Sequence, residues 1–328
     1  ARAGAPRRSM PRAARAPRSV DDLVFEGMLG RGTFGTVHLA VNRYSGEAFA
    51  VKEIPGTSVR SKLEFLKEAK VLRMAQHPCL LRLVSVFVKD APDGPDGTHN
   101  QLLYLVTEFC AGGSLSGFLV DENVRVLPWH TRIRFALECA RGLNALHENN
   151  LIHRDLKSEN CLLKAVQGVP PDRSFSHFSI VLGDFGLARW YATNTFPRKK
   201  SKRATVRGTP WTMAPELMNA KSDTGYTTEC DIFSLGVVLL EIACRTPAIC
   251  IPRDNALSVD MALVESMSTE PPKRVRVRRS SIRDSCPHEY LELVKQCVEP
   301  TPHLRPPIES VVDQLRSQYA LFRGGDDD

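Results

Sequence analysis

Residues 153–160 read HRDLKSEN, five formally ionisable side chains in eight positions, between LNALHENNLI (143–152) and CLL (161–163). Ser and Asn are ordinary turn formers, so the plainest reading is a solvated turn between a helix and a strand. That reading accounts for the octet alone. Charge set against apolar runs on both sides calls for a second reason, which the flanking sequence supplies.

Downstream, LGDFGLA (182–188) places Asp184 behind another apolar run. Upstream, FAVKEI (49–54) puts Lys52 inside a strand, where a long cation suits either an edge position or an anionic neighbour. Glu68 sits mid-helix in FLKEAKVL (65–72) and reads, taken alone, as a surface acid. GRGTFGTV (30–37) spaces Gly30, Gly32 and Gly35 as G-x-G-x-x-G, a pattern that also fits a dinucleotide fold. Here the glycines join two strands instead of a strand and a helix, which suits a flap over phosphates. Together the loop, the strand lysine and the helix acid describe a cation steadied by a carboxylate beneath that flap.

These segments, in this order, resemble a eukaryotic protein kinase domain running from about Asp22 to Phe322. The resemblance implies an α+β, bilobal fold: a small lobe with a five-stranded antiparallel sheet and one helix, and a larger, mainly helical lobe. It implies ATP and Mg²⁺ as cofactors and proteins as substrates. By the same resemblance Asp155 is expected to accept the proton of the incoming hydroxyl, Lys157 to steady the transferring phosphate, Lys52 and Glu68 to pair, and Asn160 and Asp184 to hold metal. Gly30, Gly32, Gly35, Val37, Ala50 and Lys52 line the nucleotide; Thr107 matches the gatekeeper, so the backbone of Glu108 and Cys110 meets adenine. Ala214-Pro215-Glu216 matches the APE segment, with Arg305 as partner of its acid, and Asp231 matches the acid that pins the catalytic loop. Leu72, Leu83, His153 and Phe185 match the apolar stack of active kinases.

Within the family, FLKEAKVL, SENCLL, VLGDFGLA, DIFSLGVVLLEI and PRDNALSV resemble the LIM and testis-specific kinases of the tyrosine-kinase-like group, as does FPRKKSKRATVRGTPWTMAPE (196–216). Lys157 and Thr209 are the pair usual in Ser/Thr kinases, where LIM kinases carry Asn at both positions. The aromatic of WTMAPE also lies one or two residues from its place there. The resemblance implies γ-phosphate transfer to Ser or Thr, with dual specificity the alternative and a catalytically weak scaffold a further one. Lys52, Asp155 and Asp184, whose loss marks a scaffold, are all present. Thr205, twenty-one residues after Asp184 and just downstream of Arg198, Lys199, Lys200, Lys202 and Arg203, is the expected activating phosphosite for an upstream kinase. Its phosphate pairs with these cations and Arg154. Ser201 and Thr195 are the weaker candidates, and Thr209 is expected to bond Asp155 and Lys157. Arg-Ser runs at Ser9, Ser280 and Ser281 suit basophilic kinases.

Periodicity places strands in 23–54, a helix over 62–75 with Leu63, Leu66, Ala69 and Leu72 on its inner stripe, and two more strands around a surface insertion, DAPDGPDGTHN (90–100). Pro128 opens a long helix that repeats Ile133, Ala136, Leu137, Ala140 and Leu143 at helical spacing. Further helices are expected at 229–244, 288–298 and 307–320. The expected layout is a disordered basic tail (1–20), a kinase domain (21–322; lobes 21–107 and 113–322 about a hinge 108–112) and an acidic tail (323–328).

Composition is that of a globular protein, 42% hydrophobic and 25% charged over 328 residues. Six Arg within residues 1–20 carry most of the net +7, so the basic character reads as a solvated tail and not as a nucleic-acid surface. Nine Cys without a C-x-x-C pair suit buried free thiols in a reducing, cytoplasmic setting. DIFSLGVVLLEIAC (231–244) is too short and too acidic to span a bilayer, and no secretory apolar run follows the N-terminus. A chain opening on Ala1 is expected to be a piece of a longer protein. Oligomeric state is left open.

Overall fold

A computed structural model describes residues 16–32, 35–92, 100–124, 126–172, 175–191, 209–218, 226–245 and 286–323. The chain forms two compact units, Ala1–Arg73 with Arg82–Phe109, and Met74–Leu81 with Cys110–Asp328. The expected fold class is found: a five-stranded antiparallel sheet with one helix, and a mainly helical unit.

The first unit is built on β1 (Leu23–Gly32), β2 (Gly35–Asn42), β3 (Ala48–Pro55), β4 (Leu83–Asp90) and β5 (Gln101–Glu108), ordered β1-β2-β3-β5-β4. Period-two alternation sends Ala40, Phe49, Val51, Tyr104 and Val106 to one buried cluster with Val20 and Leu23. The β2–β3 turn is set by Asn42, whose Oδ1 accepts from the backbone N–H of Tyr44 at 2.9 Å and of Ser45 at 3.3 Å. The last stretch of the expected tail is instead built into this unit. Ser19 caps a short turn over Val20–Asp22, Val20 is buried, and the Pro17 carbonyl accepts from Ser85 Oγ. Neighbouring arginines do not prevent order where Pro17 and Val20 have apolar surface to cover.

The helix α1 (Val59–Met74) buries only part of the expected stripe: Leu72 is inside, but the face is turned away from Leu63 and Leu66. Leu63 is 49% exposed and Leu66 60% exposed, while Phe65, Glu68, Val71 and Leu72 are buried. Apolar residues occur nearly all round this helix, so their period does not fix its rotation; the ion pair of Glu68 does.

The helical unit contains α2 (Leu115–Val120), α3 (Trp129–Glu148), α4 (Pro215–Met218), α5 (Thr228–Cys244), α6 (His288–Cys297) and α7 (Ile308–Arg323). Two small antiparallel pairs lie in it, β6 (Leu151–Ile152) with β9 (Arg189–Trp190), and β7 (Cys161–Ala165) with β8 (Phe178–Leu182). Pro128 caps α3, and all five positions expected inside are buried. At Gly142 a Cβ would come within 2.6 Å of the Cys79 carbonyl, so only glycine lets α3 meet the segment 74–81. That segment is stitched to β8 by Leu81 N–H to Leu182 O at 2.8 Å and Leu182 N–H to Cys79 O at 2.9 Å.

Helix α5 is buried on every side, which explains its apolar sequence without a bilayer. No helix among the described residues is long and apolar enough to cross a membrane. Among the described residues eight cysteines are buried, and burial pushes the thiols of Cys79, Cys230, Cys244 and Cys297 up to about 12.

Candidate active site

In the sheet unit, β3 carries Lys52 opposite Val37 of β2 and Leu105 of β5. Its Nζ lies 2.7 Å from Glu68 Oε1 and 2.8 Å from Oε2, with the side chains only 17% and 8% exposed. A half-buried cation held by both oxygens of one carboxylate is fixed in position, which a surface lysine is not. Gly30 pairs with Val37 and Gly32 with Gly35 across the β1–β2 hairpin, whose tip, Thr33 and Phe34, lies outside the described residues. A Cβ at Gly35 would strike the Glu53 carbonyl, so the third glycine of the motif is a steric requirement of the sheet. Ala50 pairs with Thr107, whose hydroxyl donates to the Ala50 carbonyl at 3.3 Å. Buried Glu108 ends β5, and its Oε1 accepts from Arg82 N–H at 3.0 Å.

The helical unit holds the remaining groups. After β6 the chain is gripped by buried Asp231 at the start of α5: Oδ2 accepts from His153 N–H at 2.7 Å and Oδ1 from Arg154 N–H at 2.9 Å. Arg154 takes φ +71° there, a left-handed conformation that a non-glycine residue adopts at a cost. Asp155, thus presented, forms a closed triangle with two others. Thr209 Oγ1 donates to Asp155 Oδ1 at 2.9 Å, Lys157 Nζ donates to Thr209 Oγ1 at 2.7 Å, and Lys157 Nζ lies 2.9 Å from Asp155 Oδ2. Asn160 Nδ2 donates to the Asp155 carbonyl at 2.8 Å, which leaves its amide oxygen to face elsewhere.

Asp184 is exposed at φ +54°, and the preceding Gly183 N–H donates to the Asn160 carbonyl at 2.8 Å. The carbonyl of the same Gly183 accepts from His153 Nε2 at 3.2 Å, and the His153 and Phe185 rings pack at 5.6 Å. Gly183 therefore ties the Asp155 loop to the Asp184 turn. An amide oxygen and a carboxylate are hard donors suited to Mg²⁺, which takes one or two protein ligands and completes its shell with water and phosphate. Among the described residues no group of three or more His, Cys, Asp or Glu is placed to hold a metal, in keeping with so sparse a donor set.

Glu216 of α4 meets Arg305 in a two-pronged pair, 2.7 Å on each arm, and Arg305 also donates to the carbonyls of Glu299 and Glu229. Thr205, Thr195, Ser201 and their basic neighbours lie outside the described residues, as do Ser9, Ser280 and Ser281. Two residues of this region carry no sequence signal. Buried His147 on α3 reaches Asp231 Oδ2 through Nε2 at 3.0 Å, and Tyr226 lies under the Arg154 guanidinium. Both are joined to the loop only through the fold.

A pinned loop presenting a carboxylate beside a hydroxyl and an ammonium, together with a clamped strand lysine, is the equipment of phosphoryl transfer, and residues 23–315 match the family model described as Protein kinase domain. The chain belongs to that family. Among curated relatives it is 30% identical to LIM domain kinase 1 of Drosophila melanogaster over 88% of this chain and 22% of that protein. It is 32% identical to dual specificity testis-specific protein kinase 2 of Mus musculus over 91% of this chain and 45% of that one, and equally identical to the Rattus norvegicus protein over 89% and 44%. The chain thus spans less than half the length of these relatives, and it matches the LIM and testis-specific branch expected from its motifs.

Proposed function

We propose that this chain transfers the γ-phosphate of ATP to Ser and Thr hydroxyls of proteins. The observation that carries the reading is the triangle of Asp155, Thr209 and Lys157: a carboxylate with one oxygen already accepting from a threonine hydroxyl, beside a cation that reaches both. Asp155 takes the substrate proton, Lys157 steadies the phosphate in flight, and Lys52, oriented by Glu68, pairs with the nucleotide phosphates. Gly30, Gly32, Gly35, Val37 and Ala50 cover the nucleotide, and Thr107, Glu108 and Cys110 form its adenine side. Asn160 and Asp184 supply the oxygens for Mg²⁺, which when bound neutralises charge on the phosphate oxygens. Residues 21–322 make up the kinase domain, and the buried cysteines suit a reducing, intracellular setting.

Incubation with ATP, Mg²⁺ and a degenerate peptide array tests this directly. Phosphate on Ser and Thr peptides is expected, and no incorporation above an Asp155→Asn control overturns it. Because the mouse and rat relatives are named dual specificity, phosphate on Tyr peptides is the second outcome worth scoring.

The basic run before Thr205 repels itself, and a phosphate there supplies close to two negative charges and three acceptors. Thr205→Ala protein purified from cells is therefore expected to lose about tenfold in activity, as the loss of one or two charge-assisted bonds implies. Ser201→Ala and Thr195→Ala keep most of theirs. Full activity in Thr205→Ala removes Thr205 as the activating site.

A further inference from the structure

We propose that Tyr226 is the positioning residue of the catalytic loop: its ring is the platform on which Arg154 lies, and through Arg154 it holds Asp155. The inference rests on the reading of Asp155 as the group that accepts the substrate proton.

The Arg154 guanidinium carbon sits 3.9 Å from the centroid of the Tyr226 ring, well inside cation–π range. Tyr226 is itself rooted, packed on the buried cluster that includes Met213, Ala214, Leu217, Cys230 and Phe233. It stands two residues before α5 and five before Asp231. The start of one helix therefore grips Arg154 twice, Asp231 at the backbone N–H and Tyr226 at the guanidinium.

The space around them is small. Arg154, Tyr226, Thr209, Thr212, Met213 and Leu217 help enclose a cavity of about 10 Å³, room for roughly one water. A guanidinium with a ring against its face is held in one orientation by the stack. Stacking uses that face, while the N–H donors point outward in the plane, so the platform fixes Arg154 and leaves its edges for hydrogen bonds.

Asp155 follows Arg154 directly, and Arg154 already sits in a left-handed conformation that needs support. Without the ring, Arg154 loses one support against relaxation of that backbone, and Asp155 drifts from the triangle with Thr209 and Lys157. Small misplacements of a reacting group are costly in rate and cheap in binding, so the loss falls on kcat and not on the KM for ATP.

The test compares Tyr226→Phe, Tyr226→Leu, Arg154→Ala and the Leu/Ala double variant by kcat, KM for ATP and melting temperature. Tyr226→Phe keeps the ring and is expected to work like the parent. Tyr226→Leu is expected to lose about tenfold in kcat, the fold-change that loss of a desolvated cation–π contact corresponds to, with KM for ATP unchanged. In the Arg154→Ala background, Tyr226→Leu should cost nothing more, because its effect passes through Arg154. A merely structural tyrosine gives the opposite result: its loss persists in that background and follows the melting temperature. Parent-like kcat in Tyr226→Leu, or losses that multiply in the double variant, overturn the proposal. If Tyr226→Leu is too unstable to assay, Tyr226→Met is read by the same criteria. Failure of the underlying reading shows itself separately, as parent-like turnover in Asp155→Asn.

Discussion

Asp155→Asn is expected to lower phosphate transfer by about a hundredfold or more while the protein melts near the parent temperature, because a positioned charge acting on the transition state is removed. The amide keeps the shape of the carboxylate and still accepts from Thr209 through its oxygen. It has no basicity with which to take a substrate proton, and it leaves Lys157 without its 2.9 Å counter-charge. The backbone carbonyl that receives Asn160 Nδ2 is untouched, so the loop keeps its internal support. Steady-state kinetics beside a thermal melt decide the matter, and near-normal turnover sinks the assignment. Lys52→Met is also expected to abolish transfer, but it is the less clean experiment. It removes the bidentate partner of the Glu68 carboxylate, only 8% exposed, so lost activity and lost stability arrive together.

The second large effect concerns stability. Arg305→Met is expected to destabilise the protein by about 3–5 kcal/mol, the range for breaking a buried ion pair from one side. The Arg305 side chain is fully buried; its removal takes the two-pronged pair from the Glu216 carboxylate, 13% exposed, and leaves five hydrogen bonds unmade. With roughly 2–4 °C per kcal/mol in a unit of this size, the melting temperature falls by on the order of 10 °C. Arg305→Lys keeps the charge but not the planar fork and should fall between the two. A melt for Arg305→Met within error of the parent would show that the pair contributes nothing net.

What was legible in the sequence was what local chemistry dictates. The charged octet around Asp155, Lys157 and Asn160 stands out against the apolar runs on both sides, whereas Lys52 and Glu68, ordinary when taken singly, stand out only through the family resemblance. The inner face of α3 was legible because its polar and apolar positions separate cleanly; that of α1 was not, because Leu63 and Leu66 compete with Phe65 and Leu72 for the inside and only Glu68 breaks the tie. His147 and Tyr226 stayed hidden for another reason. Each acts on a loop through a helix that reaches it only after folding, and a histidine or tyrosine at such a distance has no spacing to betray it. The order found at Pro17–Asp22 was masked by the arginine-rich run before it, whose composition says nothing about two apolar side chains at its end.

Residues 74–81 have a consequence for biosynthesis. The chain leaves the sheet unit at Arg73, spends eight residues in the helical unit, and returns at Arg82. All five strands of the sheet have been translated by residue 108, yet the partners of Cys79 and Leu81 on β8 come only with Leu182. At about 5–20 residues per second, several seconds pass in which the nascent chain has a sheet ready to form and a connecting segment with nowhere to bury Cys79 and Leu80. The sheet can therefore close before its own connector is covered, and residues 74–81 are the stretch that waits longest for its partners.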